Sequence, residues 1–331
     1  PELPAASGVL EVCLDSALAF LLILLPTACM GATLPLLARH AEGSRSEERT
    51  NASAIGLLYG INTLGAVLGT LATAFFILPA VGLQATVFVG ATVNFVVFGV
   101  AFWLEHKATD VVADVATDSA LDVEPLSVEA INSLATNPVV IGSPVSQTSH
   151  SVHGGFGLRW LPAAVALASA ASFTYEVLWT RLLGQVLGGS LHSFATMLAA
   201  FLTGITIGSC WASRLIFQGR SAVRCFAVAQ LATILATVVA FSGVDLVSLA
   251  STWIGAGLSG GFLANVGLCL AVLLPSTIAI GMSLPLAIQI ASGQGGDLAG
   301  TTGRLYAVST LGAIIGSLFA GRLLLPELGF Q

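Results

Sequence analysis

Long apolar runs alternate with short polar segments along the chain. A helix needs about 20 mostly apolar residues to cross a bilayer core of about 30 Å, and lipid offers no partner for free backbone groups. On that criterion the predicted spans cover residues 15–38, 54–78, 84–104, 161–183, 190–213, 225–244, 261–287 and 303–325. The pattern predicts an all-α polytopic membrane protein with eight visible transmembrane helices.

Composition supports this class of protein. Charged residues make up 8% of the 331 positions, against about 25% in soluble domains. So few charges could not cover the water-facing surface of a soluble chain of this length. The net charge is −6 and no basic residues cluster on one face, which argues against nucleic-acid binding.

Acidic residues concentrate in the segment 105–160. It holds seven of the 17 acids and only two basic residues, Lys107 and Arg159. The segment is rich in Ser, Thr, Asp, Pro and Val and has no sustained apolar periodicity, which is typical of disorder. We therefore expect 105–160 to be an acidic, largely disordered linker between two membrane halves.

Basic residues predict the orientation in the membrane, because they are retained on the cytoplasmic side near span ends. They group in the loops after the first and fifth spans: Arg39, Arg45, Arg49, Arg214, Arg220 and Arg224. Eight spans place these loops on the same side of the membrane. Arg304 and the segment 105–160 fall on that side as well. The chain is predicted to lie in a bacterial inner membrane with that segment in the cytoplasm.

Histidine and cysteine give no metal or redox motif. The five cysteines lack C-x-x-C spacing and mostly lie in apolar runs, so we interpret them as packing residues. His192, and the pair His150 and His153, lack a third ligand, so no metal site and no cofactor are predicted. The N-terminus has no basic segment before its first apolar run and does not resemble a signal peptide.

Two parts of the chain are related in sequence. GATLPLL at 31–37 recurs as GMSLPLA at 281–287, an offset of 250, and LPAVGL at 78–83 matches LPELGF at 325–330, an offset of 247. Between them, at the offset of 247, Gly56, Tyr59, Thr63, Leu64, Gly65, Ala66 and Gly69 match Gly303, Tyr306, Thr310, Leu311, Gly312, Ala313 and Gly316. The matches predict an internal duplication.

The duplication predicts two parallel halves, related by an axis along the membrane normal as in major-facilitator transporters. Spans within 161–244 precede the second copy, whereas only about 15 residues precede the first. Residues 1–104 are then the C-terminal three helices of the first half. Residues 161–331 form the second half, truncated before its last helix, of a plan with twelve helices.

Three segments carry a family signature: CMGATLPLLAR, GLLYGINTLGAVLGT and YEVLWTRLLGQVLGGSLHSFATMLAAFLTGITIGS at 175–209. They resemble the integral-membrane part of the fused major-facilitator/spermidine synthase-like family. The resemblance implies a polyamine aminopropyltransferase-like activity in a C-terminal domain. No strand followed by a Gly-rich turn and an acidic residue matches that domain, so no catalytic residue is carried over.

Ionisable residues inside predicted spans need a reason, because each costs about 2.5 to 3.5 kcal/mol at the bilayer centre. Glu176 and Arg181 lie five residues apart, about 140° around the helix, so they do not pair well with each other. In a structural interpretation Arg181 reaches the interface and Glu176 bonds a neighbouring helix. In a functional one Glu176, Tyr175 and Trp179 hold an organic cation such as a polyamine.

Three uncharged residues complete the candidates for a substrate path. Asn62 lies in the second span, where interhelical hydrogen bonding is the alternative explanation. Tyr59 and Tyr306 form a matched pair near span ends, where an interfacial anchor explains them as well as a substrate contact. Arg322, matched by Phe75, is interpreted as reaching the outer interface.

Three functions are compatible with these features. The first is the membrane module of a spermidine synthase-like fusion, which anchors an aminopropyltransferase-like domain and feeds or exports polyamine-type cations. The second is a stand-alone secondary transporter of a small cationic or amphipathic solute. The third is a membrane scaffold that transports nothing.

Overall fold

The computed structural model describes residues 6–42, 48–121, 159–243, 262–292 and 298–327, and these ranges contain helices and no strand. The long helices are α1 (Ala6–Glu42), α2 (Glu48–Ala72), α3 (Leu78–Leu121), α4 (Leu161–Leu187), α5 (Leu191–Phe217), α6 (Ala222–Ser242), α7 (Phe262–Ser292) and α8 (Leu298–Phe319). A short helix α9 (Leu325–Glu327) and two π-helical segments, Thr73–Ile77 and Ala320–Leu324, complete the described elements.

Seven helices in these ranges are long and apolar enough to cross a membrane, so the chain is an integral membrane protein. The number differs from the predicted eight because the spans 54–78 and 84–104 fall in one helical stretch, Ala52–Leu104. That stretch would be about 80 Å long at 1.5 Å per residue, too long to cross the membrane once. Gly82 interrupts it with φ 76 and ψ 175, a backbone conformation that glycine adopts without steric cost.

The chain divides into two compact units. The smaller unit, Phe76–Gly154, contains α3, whose large apolar side chains from Val81 to Leu104 are exposed. The helix continues to Leu121, so residues 105–121 of the predicted linker are helical. Residues 122–158 lie outside the described part of the chain.

The larger unit comprises Pro1–Phe75 and Gly155–Gln331. In it α7 packs along both α5 and α6, α5 packs on α2, and α4 packs on α8. Small residues set these crossings: a Cβ on Gly281 of α7 would overlap the Ile205 carbonyl, and one on Gly312 of α8 would overlap the Ala166 carbonyl. Backbones that approach this closely leave no room for a side chain.

Two local features recur at positions that the sequence offsets relate. The π-helical segments begin at Thr73 and Ala320, which differ by 247, and a proline, Pro79 or Pro326, follows each one. The proline ring clashes with the carbonyl four residues before it, and a widened turn relieves that clash. A Cβ on Gly56 would lie 3.0 Å from Pro285 Cβ, and one on Gly303 would lie 3.8 Å from Pro35 Cβ.

Two apolar clusters form most of the core of the larger unit. The Ile55 cluster joins the C-terminal parts of α1 and α7 to the N-terminal parts of α2, α4 and α8: Leu34, Ala38, Ile55, Leu161, Val165, Leu284, Ala287, Ile288 and Leu305. The Trp179 cluster joins the C-terminal part of α4 to α5 and α7: Trp179, Leu182, Leu183, Met197, Ala200, Phe201, Cys269, Val272 and Leu273. Along α4 the two clusters therefore lie at opposite ends.

Candidate functional site

A cavity of about 540 Å³ lies in the larger unit. Six helices line it: α2, α4, α5, α6, α7 and α8. On α4 its lining residues run from Val165, which belongs to the Ile55 cluster, to Phe173, which precedes the residues of the Trp179 cluster. On α4 the lining occupies the N-terminal half of the span Leu161–Gln185, and on α5 the lining residues Phe201 and Ile205 lie at the middle of the span Leu191–Phe217.

Hydroxyl groups give this cavity its polar character. They belong to Tyr59, Ser169, Ser172, Ser283, Tyr306, Ser309, Thr310 and Ser317. Two interhelical hydrogen bonds lie at its wall: the Ser169 and Ser309 hydroxyls are 2.7 Å apart, and Gln230 Nε2 donates to Ser283 Oγ at 2.8 Å. No Asp, Glu, Lys, Arg or His lines the cavity in the described part of the chain. The lining can therefore exchange hydrogen bonds with a solute but supplies no counter-ion.

The structure brings the matched tyrosines together at this cavity. Tyr59 of α2 and Tyr306 of α8 both line it, and both pack against the Ile55 cluster. Of the residues predicted for a substrate path, these two are the ones that line the cavity.

Glu176 and Trp179 line a different and much smaller pocket, of about 20 Å³. Trp179 is 5% exposed, and Tyr175 packs against the same cluster. No hydrogen bond or ion pair joins the Glu176 carboxylate to the residues that the structure describes, and Arg181 is exposed. Phe201 lines both this pocket and the large cavity, so its ring lies between them.

The remaining candidates lie away from both sites. Asn62 is exposed on α2, and Arg322 is exposed in the second π-helical segment. The ring of His192 lies 4.9 Å from that of Phe75. Within the described ranges, no three His, Cys, Asp or Glu side chains come together as a metal site would require.

Sequence reasoning missed Ser169, Ser172 and Phe201 as site residues. Ser169 and Ser172 lie three apart on α4, and this helical spacing of two hydroxyls in an apolar span is a signal that could have marked the face. Nothing comparable marks Phe201, since it is one of 17 phenylalanines in the chain.

We expect Ser169→Ala to destabilise the bundle by about 0.6 kcal/mol, the mean for interhelical hydrogen bonds in membranes. Ser309→Ala should cost a similar amount, and the double variant should cost less than the sum because both remove one bond. A double-mutant cycle on the unfolding free energy in mild detergent measures this. Ser172→Ala is the control, because Ser172 Oγ donates within its own helix, to the Ala168 carbonyl; strictly additive losses at 169 and 309 would contradict the assignment.

Comparisons of the chain with known protein families, with curated proteins and with solved structures found no match.

Proposed function

We propose that this chain is a transporter-like membrane module that binds a small amphipathic solute in the cavity between α2, α4, α5, α6, α7 and α8. The observation that carries the proposal is a cavity of about 540 Å³ at mid-span, lined by hydroxyl and apolar side chains. Sites for small molecules typically enclose about 300 to 1,000 Å³ and combine apolar walls with a few polar groups. A scaffold that binds nothing would have no need of such a cavity.

The chemistry of the lining favours an uncharged or weakly polar solute in this cavity. A polyamine carries several positive charges, and each would lose its hydration without gaining a carboxylate partner there. The Tyr59 and Tyr306 hydroxyls can instead donate to and accept from carbonyl, hydroxyl or amide groups, and Ser172 and Ser317, which donate to carbonyls of their own helices, can still accept.

A second candidate function is the passage of amine cations, as the resemblance to the spermidine synthase-like fusion proteins implies. One observation favours it: Glu176 and Trp179 line a pocket that adjoins the cavity through Phe201. A carboxylate beside an indole ring suits an ammonium group. In this version an aminopropyltransferase-like domain carried elsewhere in the protein would use the amine.

The proposal includes two parallel halves of a twelve-helix, major-facilitator-like plan in a bacterial inner membrane, with residues 105–160 on the cytoplasmic side. Two observations support the repeat. The π-helical segments differ by the same offset of 247 as the sequence match. Gly56 lies close to Pro285, and its counterpart Gly303 lies close to Pro35, the counterpart of Pro285.

The test measures solute binding by the full-length protein in detergent through the shift in its thermal unfolding temperature. The solutes are uncharged amphipathic alcohols and amides, and spermidine. A ligand at 100 times its Kd stabilises the folded state by about 2.7 kcal/mol. Ala168→Phe places a ring in the cavity and should abolish the stabilisation. Ala171→Phe, on the exposed face of the same helix, should leave it intact.

Two outcomes would overturn the proposed cavity site. One is the absence of stabilisation by every uncharged solute. The other is equal stabilisation of Ala168→Phe and the parent protein. Stabilisation by spermidine that Glu176→Gln removes would instead support the second candidate function.

A further inference from the structure

A groove of about 410 Å³ lies between α5, α6 and α7, away from the cavity described above. Helices α5 and α6 each pack along α7 but hardly touch each other. The floor is therefore α7, with Pro275, Ile278, Ala279 and Met282, and the two walls are α5 and α6. Apart from its mouth the lining is apolar, which suits a hydrocarbon chain.

The end of the groove at the α5–α6 loop is basic. Arg220, Ser221 and Arg224 line this end, and Trp211 stands beside it on α5. Arg214 lines an adjoining recess that also includes Trp211. None of the three arginines forms an ion pair with any residue that the structure describes. The groove is thus an apolar channel with arginines at one end that have no ion-pair partner among the described residues.

Local backbone structure holds the basic end in place. Gly219, at φ 72, ends α5: its N–H donates to the Ile216 carbonyl and the Arg220 N–H donates to the Leu215 carbonyl. This pair of bonds is a Schellman motif, in which glycine takes the left-handed conformation after the helix. Helix α6 starts at Ala222, so Arg220 lies in the turn between α5 and α6 and Arg224 lies in the first turn of α6. Both arginines are thereby held at the mouth of the groove.

We propose that this groove binds one anionic phospholipid from the leaflet that surrounds the α5–α6 loop. Its phosphate would pair with Arg220 and Arg224, and one acyl chain would lie along Val228, Ala232 and Ile278. Charge complementarity selects this occupant, because basic pockets between transmembrane helices bind anionic headgroups and the continuing lining is apolar. Arg214 adds to the positive field at the same end.

The test compares dioleoyl phosphatidylglycerol with dioleoyl phosphatidylcholine, which share acyl chains and differ in net charge. Bound lipid is counted by native mass spectrometry of the full-length protein. We expect the anionic lipid to bind about 10- to 30-fold more tightly, as two lipid-facing arginines would give. The double variant Arg220→Gln/Arg224→Gln should bind both lipids equally weakly. The control double variant Arg39→Gln/Arg304→Gln, with both arginines exposed outside the groove, should keep the preference.

A second pair of variants tests the acyl-chain part. Ala232→Phe fills the groove and should weaken both lipids, whereas Ala227→Phe on the exposed face of α6 should not. Inorganic phosphate should not displace the anionic lipid, since the chain contributes to binding; displacement would mean that the arginines bind free anions. Equal binding of the two lipids by the parent protein would overturn the proposal. So would a loss of the preference for the anionic lipid in the Arg39/Arg304 control as large as that in the Arg220/Arg224 variant. Absence of any bound lipid, as expected if another segment of the protein covers the groove, would also overturn it.

Discussion

Replacement of Gly281 by alanine is expected to force α5 and α7 apart and to lower the stability of the folded bundle by about 1–3 kcal/mol. A Cβ at this position would overlap the Ile205 carbonyl and would lie 2.6 Å from Ile205 Cα. Both are backbone atoms, so no side-chain rotation relieves the overlap and a helix must shift. Gly208 on α5 meets the Ile278 carbonyl in the same way, so Gly208→Ala should cost a similar amount.

Gly267 provides the matched control on the same helix. No atom of the described residues lies within 4 Å of a Cβ built there, and alanine is the better helix former by about 0.5–1 kcal/mol. Gly267→Ala should therefore leave the melting temperature unchanged or raise it, while Gly281→Ala lowers it. Thermal unfolding monitored by size-exclusion chromatography in detergent measures both. Equal melting temperatures for the two variants would contradict the close crossing of α5 and α7.

Phe201→Ala is expected to change which solutes the protein binds. The Phe201 ring is 6% exposed and lies between the cavity and the Glu176 pocket. Its removal should join the two spaces and bring a carboxylate to the wall of the cavity. We therefore expect aromatic monoamines such as phenethylamine to bind at least about tenfold more tightly, since an ammonium group paired with the half-buried Glu176 carboxylate gains more than about 1.4 kcal/mol.

The same variant should lower stability by about 3–5 kcal/mol, the usual cost of truncating a buried phenylalanine. Binding is therefore compared at a temperature where the variant is folded. Phe194→Ala is the control, because Phe194 lines the Glu176 pocket but not the cavity. Isothermal titration of the amine should show the gain for Phe201→Ala alone and its loss in Phe201→Ala/Glu176→Gln. If the gain in amine affinity persists without the Glu176 carboxylate, Phe201 does not separate that carboxylate from the cavity.

Glycine spacing predicts close helix crossings only in part. Gly65/Gly69 and Gly312/Gly316 have the same spacing and match in the repeat, and both predict a close helix crossing. In the structure a Cβ on Gly312 or Gly316 would overlap a backbone carbonyl of α4, whereas nothing described lies within 4 Å of Gly65 or Gly69. The pattern makes a helix face small, but which helix packs against that face depends on the rest of the bundle.

The candidate site was also predictable from the sequence only in part. Tyr59 and Tyr306 could be selected from the sequence because the two related segments match at these positions, and they line the same cavity. Glu176 stood out as an acid in an apolar span, yet its pocket is separate from the cavity. A helical position gives the direction of a side chain only relative to its own helix, so the intervening Phe201 could not be foreseen.

The sequence by itself determined the class of protein and the helical segments. Few charges and runs of about 20 apolar residues leave the helix as the structure that satisfies its own backbone in lipid. Only the tertiary structure decided that α5 and α6 diverge over α7 to leave a groove, and that the described residues lining the mid-span cavity carry hydroxyls but no charge. The reason is that apolar helices differ little in their attraction to lipid, so their arrangement depends on close packing between particular small residues far apart in the chain.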